Sequence, residues 1–230
     1  MMPNNLAMKY LGGILNFFMK EWLLMNTLSR IESRYLNDQG EKMKLITTIF
    51  LTLFMTLQVS NAVAREVAGI EVAESIRVAD TELMLNGSGI RTKFFFNIYV
   101  GSLYSKKSGS SLEEIINQGA PYRVSMAVLY DEISAEKLNG GWAEGFERNL
   151  SADELKNIQT SIDDFYKLFK TVHKGDVIDI DVSGKSVTTV FLNGNKQGDI
   201  DNSAFPDALL KIWLGKEPAD EDLKTGMLGG

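Results

Sequence analysis

The strongest structural signal in the sequence is the apolar run from Ile90 to Tyr104, which holds Phe94, Phe95 and Phe96 in succession. Its composition is typical of a β-strand with both faces covered by protein. The preceding segment Asn86–Gly89 is rich in residues that tolerate positive φ and predicts a turn. A strand covered on both sides requires a layered fold, so we expect this run at the centre of a sheet.

The flanking patterns predict an α+β fold. Loose alternation over Val67–Leu85 indicates half-buried strands, as does Tyr122–Tyr130. Helical spacing and capping signals predict helices over the segments 111–117, 134–150, 151–172, 204–214 and 220–227. Asn193–Gly194 marks a tight hairpin within a three-strand meander over 177–200. We therefore expect an antiparallel sheet with helices packed on one face.

The N-terminal quarter has a different character. Residues 43–64 combine a basic start, an apolar run over Leu45–Leu57 and the small-residue site Ala62–Ala64, which predicts a signal peptide cleaved after Ala64. If purine-rich codons encode Gln39–Lys42, the nucleotide sequence has a ribosome-binding site just upstream of Met43. We therefore interpret Met43 as the true start and residues 1–42 as a mis-assigned leader. The alternative is a membrane anchor around residues 11–25. We expect residues 65–230 to be one periplasmic or secreted domain without an integral membrane span.

Composition excludes several classes of function. The chain has no cysteine and one histidine, His173, which argues against disulfides, thiolate metal sites and a Ser-His-Asp triad. Residues 65–230 carry 18 basic and 26 acidic side chains, a net charge of −8. Nucleic-acid binding needs a basic face, so we expect no nucleic-acid partner. No cofactor motif or metal-ligand pattern is present in the sequence, and we expect no cofactor and no metal.

Arg91 stands out among the polar residues. On strand periodicity it shares one face of the apolar run with Asn97 and Tyr99. A buried guanidinium is costly unless it is paired, so Arg91 needs an anionic partner. That partner could be a structural carboxylate in the core or the anionic group of a ligand in an apolar cleft. The pattern alone leaves both open.

Three segments resemble one known family. They are Gly87–Arg91 (GSGIR), the following strand through Val100–Tyr104 (VGSLY), and the ending Ala208–Pro218 (ALLKIWLGKEP). Together they resemble the chalcone isomerase family, and more narrowly its bacterial, exported branch, over about residues 68–228. The resemblance implies an open-faced β-sandwich, in which a large antiparallel sheet is covered by a helical layer with the ligand cleft between them.

The resemblance also implies roles for individual residues. The resemblance matches Arg91 to the arginine that holds the anionic substrate in enzymes that cyclise chalcones. It places Tyr99 at the position of a strand threonine that supports a water-mediated contact to the substrate ketone. Trp142 occupies the place of a tyrosine, Asn149 matches an asparagine seven residues on, and Asp207 or Pro206 replaces a Ser/Thr. These departures leave the donor set for enolate stabilisation incomplete. Other proteins of this fold bind fatty acids through the arginine and a nearby tyrosine, an arrangement that Arg91 and Tyr99 resemble.

The leading hypothesis is therefore a non-catalytic binder of a small apolar anion such as a fatty acid, or of a phenolic ligand. We expect its binding residues to be Arg91, Asn97, Tyr99, Trp142 and Asn149. One alternative is an intramolecular lyase of the chalcone–flavanone isomerase type, which would use Arg91, Tyr99 and Asn149. The other is an envelope interaction module without a ligand, in which Arg91 pairs with a core carboxylate.

Overall fold

Eleven strands and five helices form the part of the chain that begins at Ala64. The computed structural model describes residues 19–28 and 64–230. The chain divides into two units, Met1–Ser60 and Asn61–Gly230, and in the first unit residues 19–28 form a helix with exposed side chains. The signal peptide and leader predicted at 1–64 otherwise lie outside the described residues. None of the described helices has the length and apolar character needed to cross a membrane.

The strands alternate with short turns in the first half of the domain and again after the long helices. They are β1 (Ala64–Val67), β2 (Ile70–Ala73), β3 (Ser75–Val78), β4 (Thr81–Lys93), β5 (Phe96–Ser105), β6 (Tyr122–Val128), β7 (Glu132–Ile133), β8 (Val172–His173), β9 (Val177–Ser183), β10 (Val187–Leu192) and β11 (Asn195–Asp201). Seven of them form one curled antiparallel sheet in the order β11-β10-β9-β6-β5-β4-β3. The pairs β1–β2 and β7–β8 form separate two-stranded sheets.

The helices begin where the sequence predicts them. They are α1 (Leu112–Gln118), α2 (Ala135–Asn149), α3 (Ala152–Tyr166), α4 (Phe205–Leu214) and α5 (Glu221–Met227). All but α4 follow a serine or aspartate whose side chain accepts a hydrogen bond from the backbone N–H of the third helical residue. At α3 the predicted capping box of Ser151 and Glu154 is complete.

The two faces of the sheet belong to different apolar clusters. Alternate residues of β5, β6 and β9, such as Leu103, Met126 and Ile180, pack with the helices in the main core. The intervening residues of β5, Val100 and Tyr104, belong to a second cluster with Val72 of β2. This period of two confirms the predicted α+β fold, with a large antiparallel sheet covered by helices.

The prediction of a single strand over Ile90–Tyr104 is wrong. The chain reverses at Phe94 and Phe95, and the two halves pair as the antiparallel strands β4 and β5. Phe94 lies at φ 58°, and its side chain is 84% exposed. Apolar residues usually mark a strand interior, which is why the turn was not visible in the sequence.

The predicted turn at Asn86–Gly89 is also wrong, because these residues lie inside β4. The glycines allow α5 to lie directly against the strand. A Cβ at Gly87 would overlap the carbonyl oxygen of Gly226, and a Cβ at Gly89 would lie 3.0 Å from the Cα of Leu223. The Asn86 side chain donates to the carbonyl of Met227 at 2.7 Å. These glycines therefore serve close packing.

Candidate functional site

A cavity of about 600 Å³ lies between the sheet and α2. Strands β4, β5 and β6 form its floor, and α2 together with the β7 segment forms its walls. Its lining is mainly apolar, and it includes Arg91, Tyr99, Met126, Ile133, Trp142 and Ile212. Its volume falls within the range of about 300–1,000 Å³ that is usual for small-molecule sites. The cleft that the predicted fold implied is therefore present.

Arg91 and Tyr99 lie side by side on the cavity floor. They are directly opposed in the β4–β5 register, and the Arg91 Cζ atom lies 5.7 Å from the centroid of the Tyr99 ring. Directly opposed residues of antiparallel strands point to the same face, so the hairpin itself brings the two side chains together. The prediction that they share a face is confirmed, although they belong to two strands.

The Arg91 guanidinium keeps an unused donor. Its Nε atom is buried and has no hydrogen-bond partner, and within the described part of the chain Arg91 forms no salt bridge. The alternative in which Arg91 pairs with a core carboxylate is therefore contradicted for residues 19–28 and 64–230. An unpaired buried donor of a charged group is costly to maintain, and a ligand that accepts a hydrogen bond would remove that cost.

Tyr99 is held by a neighbour from the far end of the chain. Its hydroxyl oxygen accepts a hydrogen bond of 3.0 Å from the Trp213 indole nitrogen, and its side chain is 2% exposed. Burial raises the pKa of Tyr99, against the opposing effects of the Arg91 guanidinium and the Trp213 indole. The phenol therefore stays protonated at neutral pH, and its proton can be donated to an acceptor in the cavity.

Trp142 supplies a second unpaired donor in the cavity wall. Its indole packs against the rings of Phe165, Phe169 and Trp213, with centroid distances of 5.4–5.6 Å. The side chain is buried, yet its Nε1–H has no hydrogen-bond partner among residues 19–28 and 64–230. The preceding Gly141 lies beside Arg91, and a Cβ there would make an ordinary contact of 3.7 Å with a terminal guanidinium nitrogen.

A smaller cleft of about 160 Å³ adjoins the cavity on the other side of Arg91. Its lining is more polar and includes Lys93, Glu144, Arg148 and Glu217. Arg148 and Glu144 form an ion pair one helical turn apart on α2. Arg91 therefore stands between an apolar cavity and a polar, charge-balanced cleft.

Two of the predicted binding residues do not line the cavity. Asn97 is exposed at the start of β5, and its side-chain oxygen accepts a hydrogen bond of 3.4 Å from the Thr92 hydroxyl. The Asn149 amide donates to the carbonyls of Gly145 and Glu217 and accepts from the Glu217 N–H. Asn149 thus ties the end of α2 to the loop after α4.

The remaining family-matched position also lies outside the cavity. Asp207 is exposed in the first turn of α4, and Pro206 beside it is buried in the helical layer. Neither lines the cavity or the adjoining cleft. Within the described residues, no group of three or more acidic or histidine side chains is placed to hold a metal ion.

The sequence did not identify the residues at the cavity mouth. Phe94, Phe96 and Tyr130 line it, and Phe96 packs edge-on against Tyr130 with centroids 5.6 Å apart. Lys93 and Lys137 lie at the same opening. The Trp213 hydrogen bond to Tyr99 was also missed, because its partners are 114 residues apart. The unusual run of three phenylalanines was the one sequence signal for the mouth.

Comparison with known proteins agrees with this architecture. Residues 64–229 match the family model described as chalcone isomerase-like. The fold is similar to that of the Arabidopsis thaliana fatty-acid binding protein AtFAP1, with a TM-score of 0.55 and 17% sequence identity. That match covers 73% of this chain and 96% of the plant protein. The search of curated proteins found no significant match.

Proposed function

The chain belongs to the chalcone isomerase-like family, and from this premise and the cavity geometry we propose that it binds an apolar anion without catalysis. The representative ligand is a fatty acid. Its carboxylate would lie against Arg91 and Tyr99, and its chain would occupy the cavity beside Trp142. Arg91 is the residue that fixes the position of the charged end.

The observation that carries the proposal is the unused donor of Arg91 at the floor of an apolar cavity. The Arg91 Nε–H is buried and has no partner in the described part of the chain, and the Tyr99 hydroxyl has a proton left to donate. A carboxylate can accept from both groups at once, and hydrogen bonds to a charged acceptor are the stronger kind. A neutral apolar ligand would leave the guanidinium donor unpaired.

The rest of the lining suits a hydrocarbon chain. Met126 and Ile133 are buried, while Ile98 is half-buried, and all three line the cavity. These three side chains offer no polar partner to a ligand tail, so they would bind the tail through burial of apolar area. The fatty-acid binding role of AtFAP1, which has the same fold, supports this choice of ligand class.

The placement of Asn149 favours binding over the lyase alternative. Of the three residues that the resemblance would assign to catalysis, Arg91 and Tyr99 line the cavity, whereas the Asn149 amide is engaged by backbone groups. An intramolecular addition needs several preorganised donors around the developing enolate. Arg91 and Tyr99 alone supply the charge and the hydrogen bond that a carboxylate requires.

We also propose that the domain of residues 65–230 acts outside the cytoplasm. The protein would then belong to a bacterial, exported branch of the family. The support is the signal-peptide pattern at residues 43–64. Intact-mass measurement of protein recovered from the periplasm tests this proposal. A mature chain that begins at Arg65 is expected, and a cytoplasmic chain that retains residues 43–64 would refute it.

A ligand series tests the function. A fluorescent fatty acid is titrated into the protein and then displaced by palmitate, methyl palmitate or hexadecanol, which share a chain length and differ in charge. Palmitate should compete at least tenfold better than the two neutral analogues, because only it pairs with Arg91. Equal competition by all three would refute the anion site, and Arg91-dependent loss of chalcone absorbance would favour the lyase.

A further inference from the structure

The hairpin between β4 and β5 ends in an exposed aromatic tip, formed by Phe94, Phe95 and Phe96. Their side chains are 84%, 96% and 55% exposed. At about 200 Å² per ring, the tip presents about 500 Å² of aromatic surface to solvent. Within residues 64–230, Met84 is the only other large apolar residue that is similarly exposed.

The hairpin does not need phenylalanine to fold. The β10–β11 hairpin of the same domain turns through Asn193 and Gly194, at φ 50° and 74°. These residue types adopt positive φ at little cost, whereas a bulky side chain at φ 58°, as in Phe94, is a strained exception. Strain of this kind persists at sites where the side chain has a function. The aromatic rings of the tip therefore serve a contact outside the domain.

The tip is continuous with the ligand cavity. Phe94 and Phe96 line its mouth, and Phe95 projects beyond it. The cavity lining carries three cations, Arg91, Lys93 and Lys137, against two carboxylates, Glu132 and Glu144, and Glu144 is already paired with Arg148. Whatever the tip contacts is brought directly to the entrance of the apolar cavity.

The size and shape of the tip fit a membrane surface better than a protein partner. A stable protein interface buries about 800 Å² on each side, which exceeds what three rings at a hairpin end can supply. Insertion into the headgroup region of a bilayer needs an apolar projection of only about 5–10 Å. The net charge of −8 on residues 65–230 disfavours a strongly anionic surface.

We propose that the aromatic tip inserts into the surface of a zwitterionic lipid bilayer and holds the cavity mouth against it. In this arrangement an acyl chain can pass between bilayer and cavity without crossing water. The transfer step rests on the proposed function, whereas insertion of the tip does not. The contact is mainly apolar, so raising the salt concentration should leave it intact.

Site-specific labelling tests insertion. The chain has no cysteine, so Phe95→Cys and Asn195→Cys each create a single site for an environment-sensitive dye. Asn195 lies at the tip of the β10–β11 hairpin and provides the matched control. With phosphatidylcholine vesicles, the dye at position 95 should shift to the blue and become protected from an aqueous quencher, whereas the dye at 195 should not change. No change at position 95 would overturn the proposal.

A second variant separates insertion from ligand binding. Phe95 does not line the cavity, and its exposure means that Phe95→Ser should fold normally. We expect vesicle binding to fall about tenfold, with the affinity for fatty acid in vesicle-free solution unchanged within twofold. In the unmutated protein, fatty-acid binding without vesicle binding would refute tip insertion alone, as would full vesicle binding by Phe95→Ser. Vesicle binding without fatty-acid binding would refute the proposed function alone. A dimer that Phe95→Ser converts to a monomer would show that the tip contacts a second copy, which also refutes insertion.

Discussion

Replacement of Arg91 by methionine should weaken ligand binding without weakening the fold. Methionine keeps the apolar stem of the side chain as far as the position of Nε but removes the guanidinium and all of its donors. Hydrogen bonds to charged groups contribute about 1.5–3 kcal/mol each, which corresponds to about 10- to 150-fold in Kd. Because the Arg91 side chain is only half-buried, solvent reduces this contribution, and we expect a rise in Kd of about 10- to 30-fold.

The unfolding free energy should change little in this variant. Arg91 forms no salt bridge within the described residues, and its Nε atom has no hydrogen-bond partner. Within that part of the chain, removing it breaks only the contact of the guanidinium with the Tyr99 side chain, and a loss of at most about 1 kcal/mol is expected. Fluorescent fatty-acid titration gives the Kd, and urea unfolding of the same samples gives the stability. An unchanged Kd would refute the role of Arg91 as the anion anchor.

Two other arginines provide matched controls. Arg77 on β3 is exposed and lines neither cleft, so Arg77→Met should change neither binding nor stability. Arg123 on β6 pairs with Asp181 and, at 3.4 Å, with Asp179, and its side chain is 19% exposed. Arg123→Met leaves these carboxylates without their cation, so it should lower the unfolding free energy by about 2–3 kcal/mol with no change in Kd.

Three further variants test other parts of the account. Tyr99→Phe should weaken fatty-acid binding about fivefold. It also leaves the Trp213 indole unpaired, so it should lower the unfolding free energy by about 1–3 kcal/mol in urea titrations. No effect on either quantity would contradict the geometry of Tyr99. The pKa of Glu154 is lowered from 4.5 to about 2, chiefly by the Lys211 ammonium. The ionised Glu154 carboxylate therefore stabilises the fold fully above about pH 4.5, and this stabilisation is lost as the pH falls toward 2. Glu154→Gln should flatten the pH dependence of the unfolding free energy in that window, and an unchanged slope would contradict the Glu154–Lys211 interaction. Gly87→Ala should lower the unfolding free energy by about 1–3 kcal/mol, because its Cβ would overlap the backbone at the end of α5; a neutral effect would contradict the tight docking of that helix.

The sequence predicted elements whose signals are local. The Asn193–Gly194 hairpin and the Ser151–Glu154 capping box are specified within four residues, and both are present. Helix and strand periodicity likewise placed α2, α3 and the β9–β11 meander. In these segments, the interactions that fix the conformation lie within the segment itself.

The errors fall where distant parts of the chain decide the conformation. Glycines at 87 and 89 suggest a turn, and only the docking of α5, more than 130 residues later, shows that they permit close packing. At Phe94 the sequence gives no turn residue, and the reversal depends on the pairing of β4 with β5. That reversal brings Arg91 opposite Tyr99. The two side chains share a face as predicted, but they do so because two strands pair and not because both lie on one straight strand.

The candidate site was predictable to a similar extent. The pattern singled out Arg91, because a cation in an apolar strand needs a partner, and the structure places it on the cavity floor. The pattern also suggested Asn97 and Asn149, but one lies exposed beside the hairpin turn and the other bonds to backbone groups. Whether a polar side chain is satisfied internally depends on tertiary contacts, which periodicity does not contain.

A crystal structure of the protein grown with palmitate tests most directly whether Arg91 anchors a carboxylate in the cavity. We expect the acyl chain to fill the cavity beside Trp142, with a carboxylate oxygen about 3 Å from Arg91 Nε and the Tyr99 hydroxyl also in contact. A ligand bound elsewhere on the domain would contradict this expectation. A chain in the cavity whose carboxylate lies at the aromatic tip, away from Arg91, would contradict it as well.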